Sequence, residues 1–209
     1  MIVGGAILPH PPVILPDYAA RRGPEVQRTI DAVREASRFV AEELRPDRIV
    51  ISSPHKEHGF EVPLHFIREA MGGRLPGVER ILTDVDELAH YKRLGEELRW
   101  RESARPDRTA VIASGDLSHR LTDDGPYGFH ALGPALDAQI LECVRSGSPD
   151  CLLDIDREVI EQGAECGLRS FIFGLAAFAS HSLRVLSYEG PFGVGYLVAV
   201  PPARIGVPA

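Results

Sequence analysis

The chain has no basic stripe, no long apolar run and few cysteines, and each absence removes a class of function. Lys and Arg number 23 against 30 Asp and Glu, giving a formal charge of −7. The acids are scattered, so the electrostatic footprint of a nucleic-acid binder is missing. The longest apolar stretch near the C-terminus, Phe171–Ala179, falls well short of the roughly 20 residues a membrane helix needs. Met1–Ile7 is apolar but lacks a basic n-region, and Pro9–Pro12 ends it too early for a signal peptide. The 3 cysteines, Cys143, Cys151 and Cys166, are an odd number in a chain too long to need disulfide staples. A reduced, cytoplasmic protein with free thiols is expected.

What is present is ordinary globular composition: 44% hydrophobic and 25% charged residues in 209. One core can serve that length, so residues 1–209 are expected to form a single α/β domain, with 200–209 as a loose tail. Ile2–Leu8 reads as a buried strand stopped by prolines. Pro24–Leu44 has helical spacing at Val26, Ile30, Val33, Val40 and Leu44, and Arg48–Ser52 reads as a second buried strand. That order is a βαβ signature. Pro63–Met71 is ambiguous and Gly72-Gly73 is a break. Asp84–Trp100 reads as a helix, Thr109–Ala113 as a third buried strand, and Gly133–Arg145 as another helix. Asp150–Glu161 is a weaker helix and Gly167–Ser180 an apolar one, with strands at Arg184–Ser187 and Gly193–Val200.

Three of the strand-like runs end in a loop that carries a histidine: His10, His55 and His119. Loops at the carboxyl ends of strands line the ligand crevice of open α/β sheets, so the three converge if their strands are parallel neighbours. His10 lies between prolines in Leu8-Pro9-His10-Pro11-Pro12, which fixes its backbone as a preorganised ligand requires. His55 has the same place, one residue past a proline, and neutral imidazole is a common ligand for divalent metals. His58, three residues on, reads as solvent-facing or as a supporting group.

In Ser114-Gly115-Asp116-Leu117-Ser118-His119, the aspartate can orient a general base at His119, or cap a helix that starts there. Two histidine ligands call for a third, anionic one, and Glu165-Cys166 supplies the candidates. Two histidines and a carboxylate form the facial triad of non-haem iron(II) sites. If the apolar helix has begun by residue 165, its stripe through Leu168, Ile172 and Leu175 extends back to Glu165 rather than Cys166, which favours the carboxylate. His130, after Tyr127-Gly128-Phe129, is placed on a pocket wall with Tyr127 as a substrate contact. His181 is explained by a helix end, and Tyr188-Glu189 by a supporting carboxylate.

These motifs, running from His10 to Cys166, resemble the LigB-like superfamily. It contains the catalytic subunits of class III extradiol dioxygenases, the Memo proteins and the AmmeMemoRadiSam system protein B. The resemblance implies a three-layer α/β/α sandwich around a mixed central sheet. It matches His10 and His55 to the metal-binding histidines, and His119, with Asp116 beside it, to the acid/base histidine. The dioxygenases complete the site with glutamate and the Memo branch with cysteine followed by glycine, as in Cys166-Gly167, so Glu165 and Cys166 both stay open. The function implied is iron(II)-dependent ring cleavage of a catechol-type aromatic with O₂, as in aromatic catabolism. The alternative is a Memo-like metal-binding accessory protein, with zinc or copper as further candidate ions; zinc-dependent hydrolysis ranks last. Neither nucleic acid nor membrane is expected as a partner, and assembly with copies of the same chain is allowed but not required.

Overall fold

The structure is a computed structural model, described here for residues 1–18, 24–178 and 182–202. Residues 179–180 of the expected apolar helix, His181, and 203–209 of the expected tail lie outside the described residues. The strands are β1 (Ile2–Leu8), β2 (Arg48–Ser53), β3 (Gly77–Leu82), β4 (Thr109–Ser114), β5 (Arg184–Glu189) and β6 (Tyr196–Val200). They form one sheet in the order β3-β2-β4-β1-β6-β5. Pairing is parallel between β3 and β2, β2 and β4, and β4 and β1, then antiparallel from β1 to β6 and from β6 to β5. The sheet is therefore mixed, with β1, β4 and β2 as adjacent parallel strands at its centre.

The period-2 alternation of these strands divides the core into two layers. Ala6, Leu8, Ile49, Ile51, Ala110, Ile112 and Val198 face one side, with Ile30, Val33, Phe60 and Leu64 from α1 (Gln27–Arg38) and α2 (His58–Ala70). Ile7, Val50, Val111, Ala113 and Leu197 face the other. That side is covered by α3 (Leu88–Ser103), α4 (Leu132–Ser146), α5 (Pro149–Leu153), α6 (Arg157–Gly163) and α7 (Leu168–Ala177). The architecture is a three-layer α/β/α sandwich. No helix among the described residues is long and apolar enough to cross a membrane.

Several boundaries differ from expectation for local reasons. Pro24–Val26 is a 3₁₀ turn before α1, and Phe39–Leu44 continues α1 with π geometry until Arg45 turns left-handed at φ 43°. The ambiguous segment around Pro63 is the helix α2, and the strand β3 after the glycine break was not foreseen. Asp150–Glu161 is two helices, the second capped by the Asp156 side chain on the Glu158 N–H. Residues 115–118, allowed as a helix start, form a loop without a helical turn. The three cysteines are not all free: Cys143 at the end of α4 is disulfide-bonded to Cys151 in α5, and Cys166 alone is a free thiol.

Candidate metal centre

Because β1, β2 and β4 are parallel neighbours, their carboxyl ends deliver His10, His55 and the loop of residues 115–119 to one edge of the sheet. His10 is the best defined of these. Its backbone N–H donates to Asp116 Oδ1 at 3.0 Å, and its ring is 2% exposed. Its Nδ1 lies 3.0 Å from Ser114 Oγ, and the Ser114 hydroxyl donates to the Gly59 carbonyl at 2.5 Å. With its own proton committed there, the serine accepts from His10, so Nδ1 carries the hydrogen and Nε2 presents a lone pair. The Gly59 carbonyl is free for this because Pro63, four residues on in α2, has no N–H to give it. Burial first, then the neighbouring histidines His55, His58 and His119, hold His10 well below its ordinary pKa and hence neutral, as a ligand must be.

On one side of His10 stand two more imidazoles. The Ser53 hydroxyl bonds both the N–H and the carbonyl of His55 at 3.1 Å, closing a tight turn at the end of β2. The His55 ring centroid is 5.2 Å from that of His10, and burial, then His58 and His119, lower its pKa. His58, the first residue of α2, is 5.3 Å from His10 and 4.8 Å from His55 by ring centroid. One nitrogen from each ring lies within 4.8 Å of the others. His58 is exposed, in keeping with its reading as solvent-facing, and it also joins this group of nitrogens.

On the other side of His10 are Asp116 and Cys166. The Asp116 N–H donates to Cys166 Sγ at 3.4 Å, while its carbonyl accepts from Cys166 N at 3.3 Å and Gly167 N at 2.9 Å. The two loops run backbone to backbone: a Cβ added to Gly115 would stand 2.2 Å from Gly167 Cα, so only glycine fits. This contact puts Cys166 Sγ at 3.6 Å and Asp116 Oδ2 at 3.8 Å from His10 Nε2. A tetrahedral ion with ordinary N and S bond lengths spans an N–S edge of roughly 3.5 Å, so this pair fits one ion. Burial pushes the Asp116 carboxyl up to about 7 and raises the Cys166 thiol well above its usual range. Imidazoles whose pKa burial lowers, beside acids whose pKa burial raises, make a donor set that a divalent cation suits, since it would compensate the charge of the ionised carboxylate and thiolate.

Glu165 does not join them. The helix α7 begins at Leu168, so residue 165 lies in the preceding loop and the stripe argument that turned it inward does not apply. Its side chain is 2% exposed, and Oε2 accepts the Leu168 N–H at 2.5 Å, with Arg169 4.0 Å away. Burial raises it to about 7 as well. Among the described residues, the groups of ligand atoms that gather are His10–His55–His58 and His10–Asp116–Cys166, and Glu165 is in neither.

His119 enters from the loop shared by these contacts. Its N–H donates to the Ala164 carbonyl at 3.2 Å, its Nδ1 is buried without a hydrogen-bond partner, and burial lowers its pKa. Asp116 was expected to orient it, but both Asp116 oxygens are directed at His10. The group that fixes the loop is Asp137 of α4, which the sequence reading did not identify. Its Oδ1 accepts the Ser118 N–H at 2.8 Å and its Oδ2 accepts the Tyr188 hydroxyl at 2.7 Å. Tyr127 is 63% exposed with its ring 5.9 Å from that of His119, at the mouth of the site. His130 Nδ1 accepts the Leu132 N–H at 3.3 Å, a turn-closing role at the start of α4. Glu189 bonds Thr29 and gives this site no supporting carboxylate.

Residues 55–199 match the family described as the catalytic LigB subunit of aromatic ring-opening dioxygenase. The matched region begins at His55, so the place of His10 rests on its geometry. Protein CA_C1420 of Clostridium acetobutylicum is 34% identical over 142 residues, which are 67% of this chain and 30% of that protein. The chain thus spans about 30% of the length of that relative. The crystal structure of the uncharacterized protein JW3007 from Escherichia coli K12 superposes with a TM-score of 0.61 at 10% identity, covering 95% of this chain and 99% of the other. That likeness shows the fold.

Proposed function

The chain belongs to the LigB family, and on that premise we propose that it is a metal-dependent oxidoreductase that opens the ring of a small catechol-type aromatic with O₂. The ion, iron(II) in the first instance, is held through His10 and His55 with Cys166 and Asp116 as the adjacent anionic donors. Glu165 caps α7 through the Leu168 N–H and is not part of the proposed ligand set. When bound, the metal supplies Lewis acidity and a one-electron couple that brings an electron-rich phenolate and O₂ together. The protein's share is positional. The relay from His10 through Ser114 to Gly59 keeps Nε2 aimed at the ion. His119, neutral and with a free buried Nδ1, takes the proton a phenolic hydroxyl gives up and returns it later in the reaction. Tyr127 lies beside it as an aromatic surface for a planar substrate.

The observation that carries this reading is that His10 stands in two groups of possible ligand atoms at the carboxyl edge of β1, β4 and β2, one with His55 and His58 and one with Asp116 and Cys166. Anaerobic loading with iron(II), followed by O₂ uptake across a catechol panel, tests it. Stoichiometric O₂ consumption with a yellow ring-opened product is expected. A fully loaded protein that consumes no O₂ with any member favours the second reading, a Memo-like metal-binding accessory protein. The specific support for that second reading is Cys166: a thiolate against His10 suits zinc or copper better than the carboxylate triad would.

A further inference from the structure

We propose that His58 is a metal ligand, so that the ion sits against three imidazoles, His10, His55 and His58, with Cys166 on its remaining protein side. The inference rests on the metal-centre reading above and adds a residue to it.

The first turn of α2 is built to bring His58 to this place. The Ser53 hydroxyl ties down His55, and a Cβ on Gly59 would stand 2.0 Å from Ser53 Oγ and 3.0 Å from His55 Cβ. That close approach seats the start of α2 directly on the His55 turn. The Gly59 carbonyl, left without a helical partner by Pro63, receives the Ser114 hydroxyl, which in turn accepts from His10 Nδ1. One relay therefore links His10 to the residue that follows His58. The outcome is three rings in mutual proximity: His55 and His58 each meet His10 nearly edge-on, at 72° and 76°, while lying 33° from each other. One nitrogen from each of the three rings lies within 4.8 Å of the others. Three cationic imidazoles at that spacing repel, and three neutral ones gain little from each other. A shared cation turns the cluster from a cost into a binding site. His58 is exposed, so its side chain can close onto an ion without disturbing the core.

The test uses the intact chain and two probe metals. Zinc affinity is measured by competition with a chromogenic chelator, and the number of coordinated imidazoles by pulsed electron paramagnetic resonance of the copper(II)-loaded protein. His58→Ala is compared with wild type and with His65→Ala, a histidine of the same helix outside the cluster. We expect three imidazoles in wild type and in His65→Ala, two in His58→Ala, and zinc affinity at least about 10–100-fold weaker in that variant. His58→Cys, which restores a donor at the same place, recovers affinity and adds thiolate-to-metal absorption with cobalt(II). Unchanged affinity and imidazole count in His58→Ala overturn the proposal. If His10→Ala still abolishes binding in that case, the underlying centre stands without His58. Absence of metal binding by wild type removes both.

Discussion

Cys166 Sγ lies 3.6 Å from His10 Nε2 although 156 residues separate them in the chain. Glu165, its neighbour, spends its carboxylate on the Leu168 N–H. The two side chains therefore do separate work, and their substitutions are expected to diverge. Cys166→Ala lowers metal affinity by at least tenfold and leaves the melting transition of the metal-free protein near wild type. Glu165→Ala retains the metal and costs about 1 kcal/mol of stability through the lost cap. Chelator competition and denaturant titration of both variants check this; metal loss confined to Glu165→Ala would return the ligand role to glutamate.

Ser114 and Pro63 act on His10 from behind. Ser114→Ala removes the acceptor that holds Nδ1 protonated, and a supporting contact of this kind is typically worth 10–100-fold in metal affinity. Pro63→Ala supplies an N–H that competes for the Gly59 carbonyl. It raises helix stability, because proline is poorly accommodated inside a helix, yet weakens metal binding. Thermal melts and metal titrations on the same preparations separate the two effects. A stabilised Pro63→Ala with unaltered affinity would remove the relay from the account.

The parts of the fold legible in the sequence were those whose signal is local. Ile2–Leu8, Arg48–Ser52 and Thr109–Ala113 are apolar runs cut off by proline or glycine, and the histidines or aspartate that follow had to emerge at strand ends. The strand β3 was not legible because it is an edge strand whose middle carries Glu79 and Arg80. These are satisfied only by tertiary partners, Arg48 and Arg101 for the first and Glu61 for the second. α2 was obscured by Pro63, whose cost is offset by a hydroxyl from β4. The preference for Glu165 over Cys166 required the helix to have begun by residue 165, and that condition is not met, because α7 begins at Leu168 and residues 165–167 precede it. Asp137 gave no signal, since a single aspartate in an amphipathic helix reads as solvated. The expectation of reduced cysteines, from their odd number and the length of the chain, is corrected by the bond between Cys143 and Cys151, 8 residues apart across the end of α4.

Asp137 gives the metal-free protein an unusual pH dependence. Burial raises its carboxyl to about 7 from 3.8. Between those values the native state holds a proton that the unfolded chain has released, so unfolding releases protons and stability falls as pH rises. Its contribution is complete below about pH 4 and lost by pH 7 and above. Asp137→Asn keeps an acceptor for the Ser118 N–H without titrating, so the decline over that window becomes shallower. Denaturant midpoints at several pH values, with chelator present, test the sign; an unchanged slope would contradict it.

The proposed function gives His119 proton transfer and not ligation; its Nδ1 is buried without a hydrogen-bond partner and its ring stands beside that of Tyr127. His119→Ala should bind metal as wild type does and lose turnover by roughly 10²–10⁴-fold. Equal loss of metal in His119→Ala and His10→Ala would make it a ligand instead.

In the proposed function β1 and β2 deliver one metal site through His10 and His55. Metal content of the His10→Ala/His55→Ala double variant, purified and reloaded without air beside wild type, tests it most directly. About one ion per chain is expected in wild type and almost none in the double variant, with the circular dichroism spectrum retained because both residues stand on loops past strand ends, His10 buried and His55 half-buried, and neither belongs to a helix or strand. Stoichiometric metal retained by the double variant would contradict it.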